Sequence, residues 1–94
     1  MKNTYVCDLH TRPPGCEVTL LGWIRAKRHQ GKVIFLDVCD STGTIQAVVE
    51  EQRVGQIQFN LVKATPVESA VAIDGVINTG NSRHEVNVRR FYLV

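Results

Sequence analysis

Residues 22–49, GWIRAKRHQGKVIFLDVCDSTGTIQAVV, contain the pattern that decides the fold. Apolar and polar side chains alternate along residues 32–39 and again along residues 44–50, which is the period of strands with one face in a core. Residues 40–43, DSTG, form a short polar connection of the kind that joins antiparallel strands. The segment therefore predicts a β-hairpin.

The sequence before the hairpin predicts a first strand over residues 17–27. Gly22 lies in the middle of this run, where a glycine indicates a bulge or a sharp bend. Gln30 and Gly31 supply the turn into the hairpin. Residues 1–15 form a lead-in that ends in Pro-Pro-Gly, a tripeptide through which neither a helix nor a central strand continues.

After the hairpin the pattern changes to the period of a helix. In residues 54–64, the side chains of Ile57, Leu61 and Ala64 fall on one helical face. Pro66 ends this helix, because the residue before a proline is pushed away from helical angles.

Two more strands follow the helix. An alternating run over residues 71–77 predicts the fourth strand, and residues 78–82, NTGNS, predict a loop. Residues 84–94 predict the fifth strand. Its alternation shifts between Val88 and Phe91, which indicates a bulge.

The order of elements predicts an all-β fold, a five-stranded OB-fold barrel with one short helix between strands 3 and 4. A five-stranded sheet packed on one helix in some other topology is the alternative. The chain has 94 residues, of which 44% are hydrophobic and 21% charged. These values predict one ordinary globular domain over residues 1–94.

Length and composition also exclude several classes of function. No apolar run reaches the roughly 20 residues that cross a bilayer, and no secretory signal precedes the barrel, so we expect a cytoplasmic protein with no membrane partner. The cysteines match no zinc or redox spacing, and the histidines are scattered. We therefore expect no catalytic residues, no metal and no cofactor. The side chains considered are Cys7, Cys16, Cys39, His10, His29 and His84.

The outer face of the predicted hairpin carries a candidate binding surface. If Ile34, Leu36 and Val38 face the core, Phe35 and Asp37 point outward, and so do Gln46 and Val48 on the returning strand. With residues 40–43 as the loop, Phe35 pairs with Val48 and Asp37 with Gln46, which makes Phe35 and Gln46 diagonal neighbours. An aromatic ring for stacking beside an amide is suited to single-stranded bases. Alternatively, the lead-in or the helix covers Phe35.

The charges support this interpretation. The formal net charge is only +2, but seven of the 11 basic residues fall in two groups. We expect them to gather beside Phe35 and Gln46 as the electrostatic part of a nucleic-acid groove; a solvated turn is the alternative. The two groups are Arg25, Lys27, Arg28 and Lys32, and Arg83, Arg89 and Arg90.

Residues 22–49, quoted above, resemble the N-terminal anticodon-binding domain of class IIb aminoacyl-tRNA synthetases, which are the aspartyl, asparaginyl and lysyl enzymes. Residues 66–77 resemble the fourth strand of that family. One position departs from the pattern, since Cys39 stands where the family has an arginine and so removes a cation from the rim of the groove. The residues of this sequence that match the family pattern are Gly22, Trp23, Arg28, Gly31, Phe35, Asp40, Gly43 and Gln46.

The resemblance implies a barrel that binds a tRNA anticodon loop. Phe35 would stack on the central base, a uridine, and Gln46 would hydrogen-bond its edge. Arg28 would hold the backbone or bases of the loop, and Glu85 would help to read the first anticodon base. We interpret Trp23 as structural, packed near the end of the barrel; contact with RNA is the alternative.

The candidate nucleic-acid-binding residues are Arg25, Lys27, Arg28, Phe35, Asp37, Gln46, Val48 and Glu85. The predicted partner is a tRNA anticodon stem-loop or another single-stranded RNA, bound without the catalytic domain that follows the fifth strand in the synthetases. Two alternatives stay open: a module that docks on a protein partner or forms a homodimer, and a non-specific single-strand binder.

Overall fold

The computed structural model describes residues 5–80 and 83–94. Five strands close into a barrel in the order β1-β2-β3-β5-β4, with β3 and β5 parallel and the other pairs antiparallel. This is the predicted OB-fold barrel with its helical segment between β3 and β4. The strands are β1 (Glu17–Gln30), β2 (Val33–Asp40), β3 (Gly43–Glu50), β4 (Ala70–Gly80) and β5 (Arg83–Leu93). The helices are α1 (Val6–Leu9), α2 (Glu51–Val54) and α3 (Gln56–Ala64).

The β2–β3 hairpin has the predicted register. Phe35 pairs with Val48 and Asp37 with Gln46. The alternate residues of both strands are buried in the core, as expected from the period of two. Asp40 itself pairs with Gly43, so the connecting turn contains two residues and is shorter than the predicted loop over residues 40–43.

Strand β1 differs from the prediction in length and in the position of its bulge. It continues to Gln30, beyond the expected end at Lys27, and its two halves pair with β4 and with β2. The register shifts between Ile24 and Ala26 rather than at Gly22. At Gly22 a side chain would collide with the carbonyl group of Cys39, so glycine permits a close approach of β1 and β2.

The predicted helix is two helices, and its predicted buried face is wrong. Gly55, with a φ of 90°, separates α2 from α3. Ile57 is 86% exposed, whereas Phe59 and Val62, three positions apart, are buried. The larger aromatic side chain sets the orientation of α3, since Phe59 packs edge-on against the ring of His29 with centroids 5.7 Å apart.

The lead-in contains a short helix that the sequence did not predict. Val6 and Leu9 of α1 are completely buried and belong to the barrel core. A helix of four residues is too short to show a period, so only the buried pair could have indicated it. The part of the predicted lead-in over residues 1–4 lies outside the described residues.

Strands β4 and β5 form one long antiparallel pair. Asn78, Thr79 and Gly80 continue β4, so the first part of the predicted loop over residues 78–82 is strand. The rest of that loop, residues 81 and 82, lies outside the described residues. The expected bulge in β5 is confirmed: Asp74 pairs with Arg90 but Gly75 with Val88. Phe91 then reaches the core.

Candidate nucleic-acid interface

The outward side chains of β2, β3, the second half of β1 and the first half of β5 form one surface, here called the hairpin face. Two rows of cross-strand neighbours run across it. The stacking row contains Arg28, Phe35, Val48 and Asn87. The amide row contains Ala26, Asp37, Gln46 and Glu85. Every member of a row is next to its neighbour on the adjacent strand, so side chains from four strands meet on one face.

Phe35 is half-buried in the stacking row and lies outside the core cluster. The guanidinium carbon of Arg28 lies 4.7 Å from the centroid of its ring, a cation–π contact. Val48, the next residue of the row, points outward as predicted but is only 9% exposed. The row therefore presents an aromatic ring with a cation on it, next to a nearly buried valine on the adjacent strand.

Gln46 is held in the amide row by its neighbour on β5. Its Nε2 donates to Oε2 of Glu85 at 3.0 Å, and Nδ2 of Asn78 donates to Oε1 of the same carboxylate at 3.4 Å. Both carboxylate oxygens of Glu85 are thus engaged by side-chain amides. This contact was not predicted, because it depends on the parallel pairing of β3 with β5.

A pocket of about 80 Å³ lies where the two rows meet, lined by Ala26, Lys27, Arg28, Phe35, Asp37 and Gln46. Five of the eight predicted site residues therefore line one pocket. Val48 and Glu85 are the next members of the two rows. Arg25 lies at the β1 bulge and does not line the pocket.

Lys27 has a structural contact that the sequence did not indicate. Its Nζ donates to the carbonyl oxygens of Lys63 and Thr65 at 2.9 and 2.6 Å, at the end of α3. A cation at this position neutralises the negative end of the helix and satisfies its last carbonyls. The ammonium group therefore binds α3, and only the flank of the side chain borders the pocket.

Two of the basic residues do not lie beside Phe35 as predicted. Arg89 and Arg90 line a separate cavity on β1, β4 and β5, together with Glu17 and Asp74. The reason is the register: Arg90 pairs with Asp74, whose strand lies on the other side of the barrel from β2 and β3. Only Arg28 of the seven cations places its charge against Phe35.

A third row, Trp23, Cys39 and Thr44, lies beside the pocket. Trp23 is 40% exposed, so its indole ring is only partly covered by its neighbours. Cys39 is only 4% exposed, and its Sγ lies 3.1 Å from Oγ1 of Thr44. A buried thiol replaces the arginine of the synthetase pattern and adds no charge to the surface.

Asp40 has a structural role that the sequence analysis did not predict. Its Oδ2 accepts from the backbone N–H of Val6 at 2.7 Å, which ties α1 to the hairpin turn. Burial raises the pKa of Asp40, but hydrogen bonds from the Thr42 hydroxyl and from backbone N–H groups outweigh it and hold the pKa below its ordinary value. The signal was present, since an aspartate at the start of a turn commonly accepts such bonds.

Comparison with known proteins decides the family. The model of the tRNA anticodon family, described as an OB-fold nucleic acid binding domain, matches residues 18–94. The chain belongs to this family. The aspartate–tRNA(Asp/Asn) ligase of Methanococcus maripaludis is 41% identical over 73 residues, which are 78% of this chain and 17% of the ligase. The asparagine–tRNA ligase of Pyrococcus abyssi is 36% identical over 77 residues, 82% of this chain and 18% of the ligase.

The crystal structure of asparaginyl-tRNA synthetase from Pyrococcus horikoshii complexed with asparaginyl-adenylate superposes on the whole of this chain. The TM-score is 0.92 and the identity 31%, and the match covers 22% of the synthetase. The chain is therefore an anticodon-binding OB-fold domain like those of aspartyl- and asparaginyl-tRNA synthetases. It spans less than a fifth of the length of the two ligases described above.

No three His, Cys, Asp or Glu residues in the described part of the chain lie close enough together to hold a metal ion. Nor is any helix within residues 5–80 and 83–94 long and apolar enough to cross a membrane. The pocket on the hairpin face is thus the site at which the predicted residues converge.

Proposed function

We propose that this chain binds the anticodon loop of a tRNA through the hairpin face, with one base stacked on Phe35 and its edge against Gln46. The observation that carries the proposal is the convergence of this ring and this amide on one pocket, in a domain of the anticodon-binding family. Stacking supplies affinity for any base, at about 1–3 kcal/mol, and the amide adds selectivity.

The cation beside the ring takes part in binding. Stacked rings lie about 3.5–4 Å apart. Arg28 covers the ring of Phe35 at 4.7 Å from its centroid, so it leaves that position when a base stacks there. The displaced guanidinium remains at the edge of the pocket, where it pairs with a phosphate or a base of the loop.

The central base is a uridine by the family resemblance, and the pocket is compatible with it. Gln46 offers both an acceptor and a donor, whereas Asp37, next to it in the amide row, offers only acceptors when ionised. A uracil ring carries an N3–H group between two carbonyl oxygens, so it donates to an oxygen of the amide row and accepts from Arg28.

These residues supply recognition and no chemistry in our proposal. The relatives named as ligases are more than five times longer than their match to this chain, and that match is the anticodon-binding OB domain. The described residues contain no cluster of metal-binding groups, and no serine, cysteine or histidine lines the pocket on the hairpin face.

The experiment is a binding titration of fluorescently labelled anticodon stem-loops at low and moderate salt. The central base is uridine, cytidine or an abasic site in otherwise identical RNAs. We expect the uridine loop to bind more tightly than the cytidine loop, and the abasic loop to bind most weakly. Equal affinity for all three would indicate a non-specific binder. No binding at low salt would reject RNA recognition and leave the protein-interaction module.

A further inference from the structure

We infer that Glu85 is a positioning residue that orients the side-chain amide of Gln46 and thereby makes the pocket select uracil over cytosine. The inference rests on the proposed function and deepens it. It also differs from the role that the family resemblance implies for Glu85, which is contact with the first anticodon base. The structure favours an indirect role, acting on the base that stacks on Phe35.

The orientation of the amide follows from the chemistry of its neighbour. An ionised carboxylate accepts hydrogen bonds and does not donate them. The side chain of Gln46 lies 3.0 Å from Oε2 of Glu85, so its nitrogen, not its oxygen, must face β5. Reversing the amide would place two acceptors against each other and lose a charge-assisted bond.

Glu85 is itself held in place. Its other oxygen accepts from Nδ2 of Asn78 at 3.4 Å, and Asn78 is its cross-strand partner on β4. The carboxylate therefore lies between two amides on either side of β5. This arrangement fixes Glu85 before any ligand arrives, which is what a positioning residue requires.

The fixed amide presents its oxygen to the pocket. Within residues 5–80 and 83–94 no donor contacts Oε1 of Gln46, and Gln46 lines the pocket next to Asp37. A ring N–H is satisfied by this oxygen, whereas the bare ring nitrogen of cytosine is an acceptor that faces another acceptor. A mismatch of this kind lowers the affinity for cytosine relative to uracil about fivefold or more.

The test compares the ratio of dissociation constants for central-cytidine and central-uridine stem-loops. For the unaltered protein we expect a ratio of about fivefold or more. Glu85→Leu removes the acceptor and frees the amide, so the ratio falls below about twofold while affinity for the uridine loop changes less. Glu85→Lys presents a donor instead, turns the amide around, and lowers the ratio further or inverts it.

Glu17→Leu and Glu17→Lys are the matched controls. Glu17 is an exposed glutamate in the first half of β1, away from the pocket, and its variants undergo the same charge changes. We expect them to keep the ratio of the unaltered protein. Measuring at two salt concentrations separates the effect of the added positive charge on affinity from an effect on selectivity, because the charge strengthens the binding of both stem-loops alike.

The side-chain NH2 resonances of Gln46 give a readout without RNA. In the free protein we expect them to be shifted and protected by the carboxylate, and to move to the values of an exposed glutamine in Glu85→Leu. Resonances that stay unchanged in this variant would overturn the inference even if the RNA-binding role stands.

Two further results separate the inference from the proposed function. If Glu85→Leu keeps the central-base ratio but loses discrimination at the first anticodon base, Glu85 contacts that base directly and the inference is wrong. If the unaltered protein binds stem-loops but shows no central-base preference, the inference fails and anticodon binding remains. Failure to bind any stem-loop would overturn both.

Discussion

The two outer sides of the barrel differ in what they offer a ligand. On the far face, formed by the outward side chains of the first halves of β1 and β4 and the second half of β5, lies a cavity of about 630 Å³, much larger than the pocket of about 80 Å³ on the hairpin face. Two arginines line it, and Leu21 and Tyr92 expose apolar surface in the same cross-strand row as Ala72. Size, apolar area and number of cations all favour the far face.

The difference lies in how the groups are used. On the far face, the arginines share their cavity with Glu17 and Asp74, and Asp74 accepts from the Thr19 hydroxyl at 2.8 Å. Opposite charges there compensate one another. On the hairpin face, a cation lies on an aromatic ring and an amide is held in one orientation. We therefore propose the hairpin face, with its oriented groups, as the recognition surface, although its pocket is the smaller one.

Removing one aromatic side chain from each face tests most directly whether the two faces differ in RNA binding. We expect Phe35→Ala to weaken binding of the uridine stem-loop by about 1–3 kcal/mol, because the stacking platform is lost. Tyr92→Ala, an exposed aromatic on the far face, is the control and leaves the affinity unchanged. Equal losses in the two variants, measured by fluorescence anisotropy, would place RNA on both faces.

Substitution of Asp40 tests how strongly its hydrogen bonds anchor α1 to the hairpin turn. We expect Asp40→Asn to lower the free energy of unfolding by about 1–3 kcal/mol, since a charged acceptor of backbone and hydroxyl donors is lost. The far-face control is Asp74→Asn, which keeps an acceptor for a single hydroxyl and costs less. Chemical denaturation at neutral pH gives both values, and a larger loss for Asp74→Asn would contradict the assignment.

The lowered pKa of Asp40 predicts that its contribution to stability depends on pH. The pKa of Asp40 is lowered in the folded chain from its ordinary value of 3.8. Its stabilisation is therefore complete above about pH 4 to 5 and is lost as the pH falls through the folded pKa. We expect the stability difference between the unaltered protein and Asp40→Asn to shrink on acidification below pH 4. A difference that grows in acid would show the opposite shift.

Arginines on the two faces test the electrostatics. We expect Arg28→Ala to weaken RNA binding severalfold and to reduce the slope of log affinity against log salt by about one. The loss is moderated because removal of Arg28 also uncovers the ring of Phe35. Arg90→Ala removes the same charge from the far face and leaves the slope unchanged. A slope reduced only by Arg90→Ala would move the phosphate contact to β5.

The smallest effect concerns the apolar row of the far face. Leu21 is 43% exposed, so Leu21→Thr should change the free energy of unfolding by no more than about 0.5 kcal/mol. We expect no change in RNA affinity. The measurement is thermal denaturation alongside the stem-loop titration, and a change in either would show that this row supports the hairpin face through the shared strand β1.

The parts of the molecule that followed from sequence are those governed by local pattern. The hairpin register and the placement of Phe35 and Gln46 on one face needed only the period of a strand and a short turn. The bulge before Phe91 was visible for the same reason. Each depends on neighbours within a few residues.

The rest depended on contacts between distant segments. Lys27 reaches the end of α3, 36 residues away in sequence at Lys63, and no local pattern indicates that contact. The basic residues of β5 were expected beside Phe35, but closure of the barrel places Arg89 and Arg90 on the far face. The face of α3 was assigned from aliphatic spacing, whereas the bulk of Phe59 decided it.

The parallel contact between β3 and β5 gives the pocket a dependence on complete folding. Gln46 and Glu85 are 39 residues apart, and pairings of such high sequence separation form slowly, whereas Phe35 belongs to a local hairpin. A chain whose last strand is not yet in place possesses the stacking ring but not the oriented amide. Under the proposed function, stacking on Phe35 needs only the local hairpin, whereas selectivity through Gln46 needs the closed barrel.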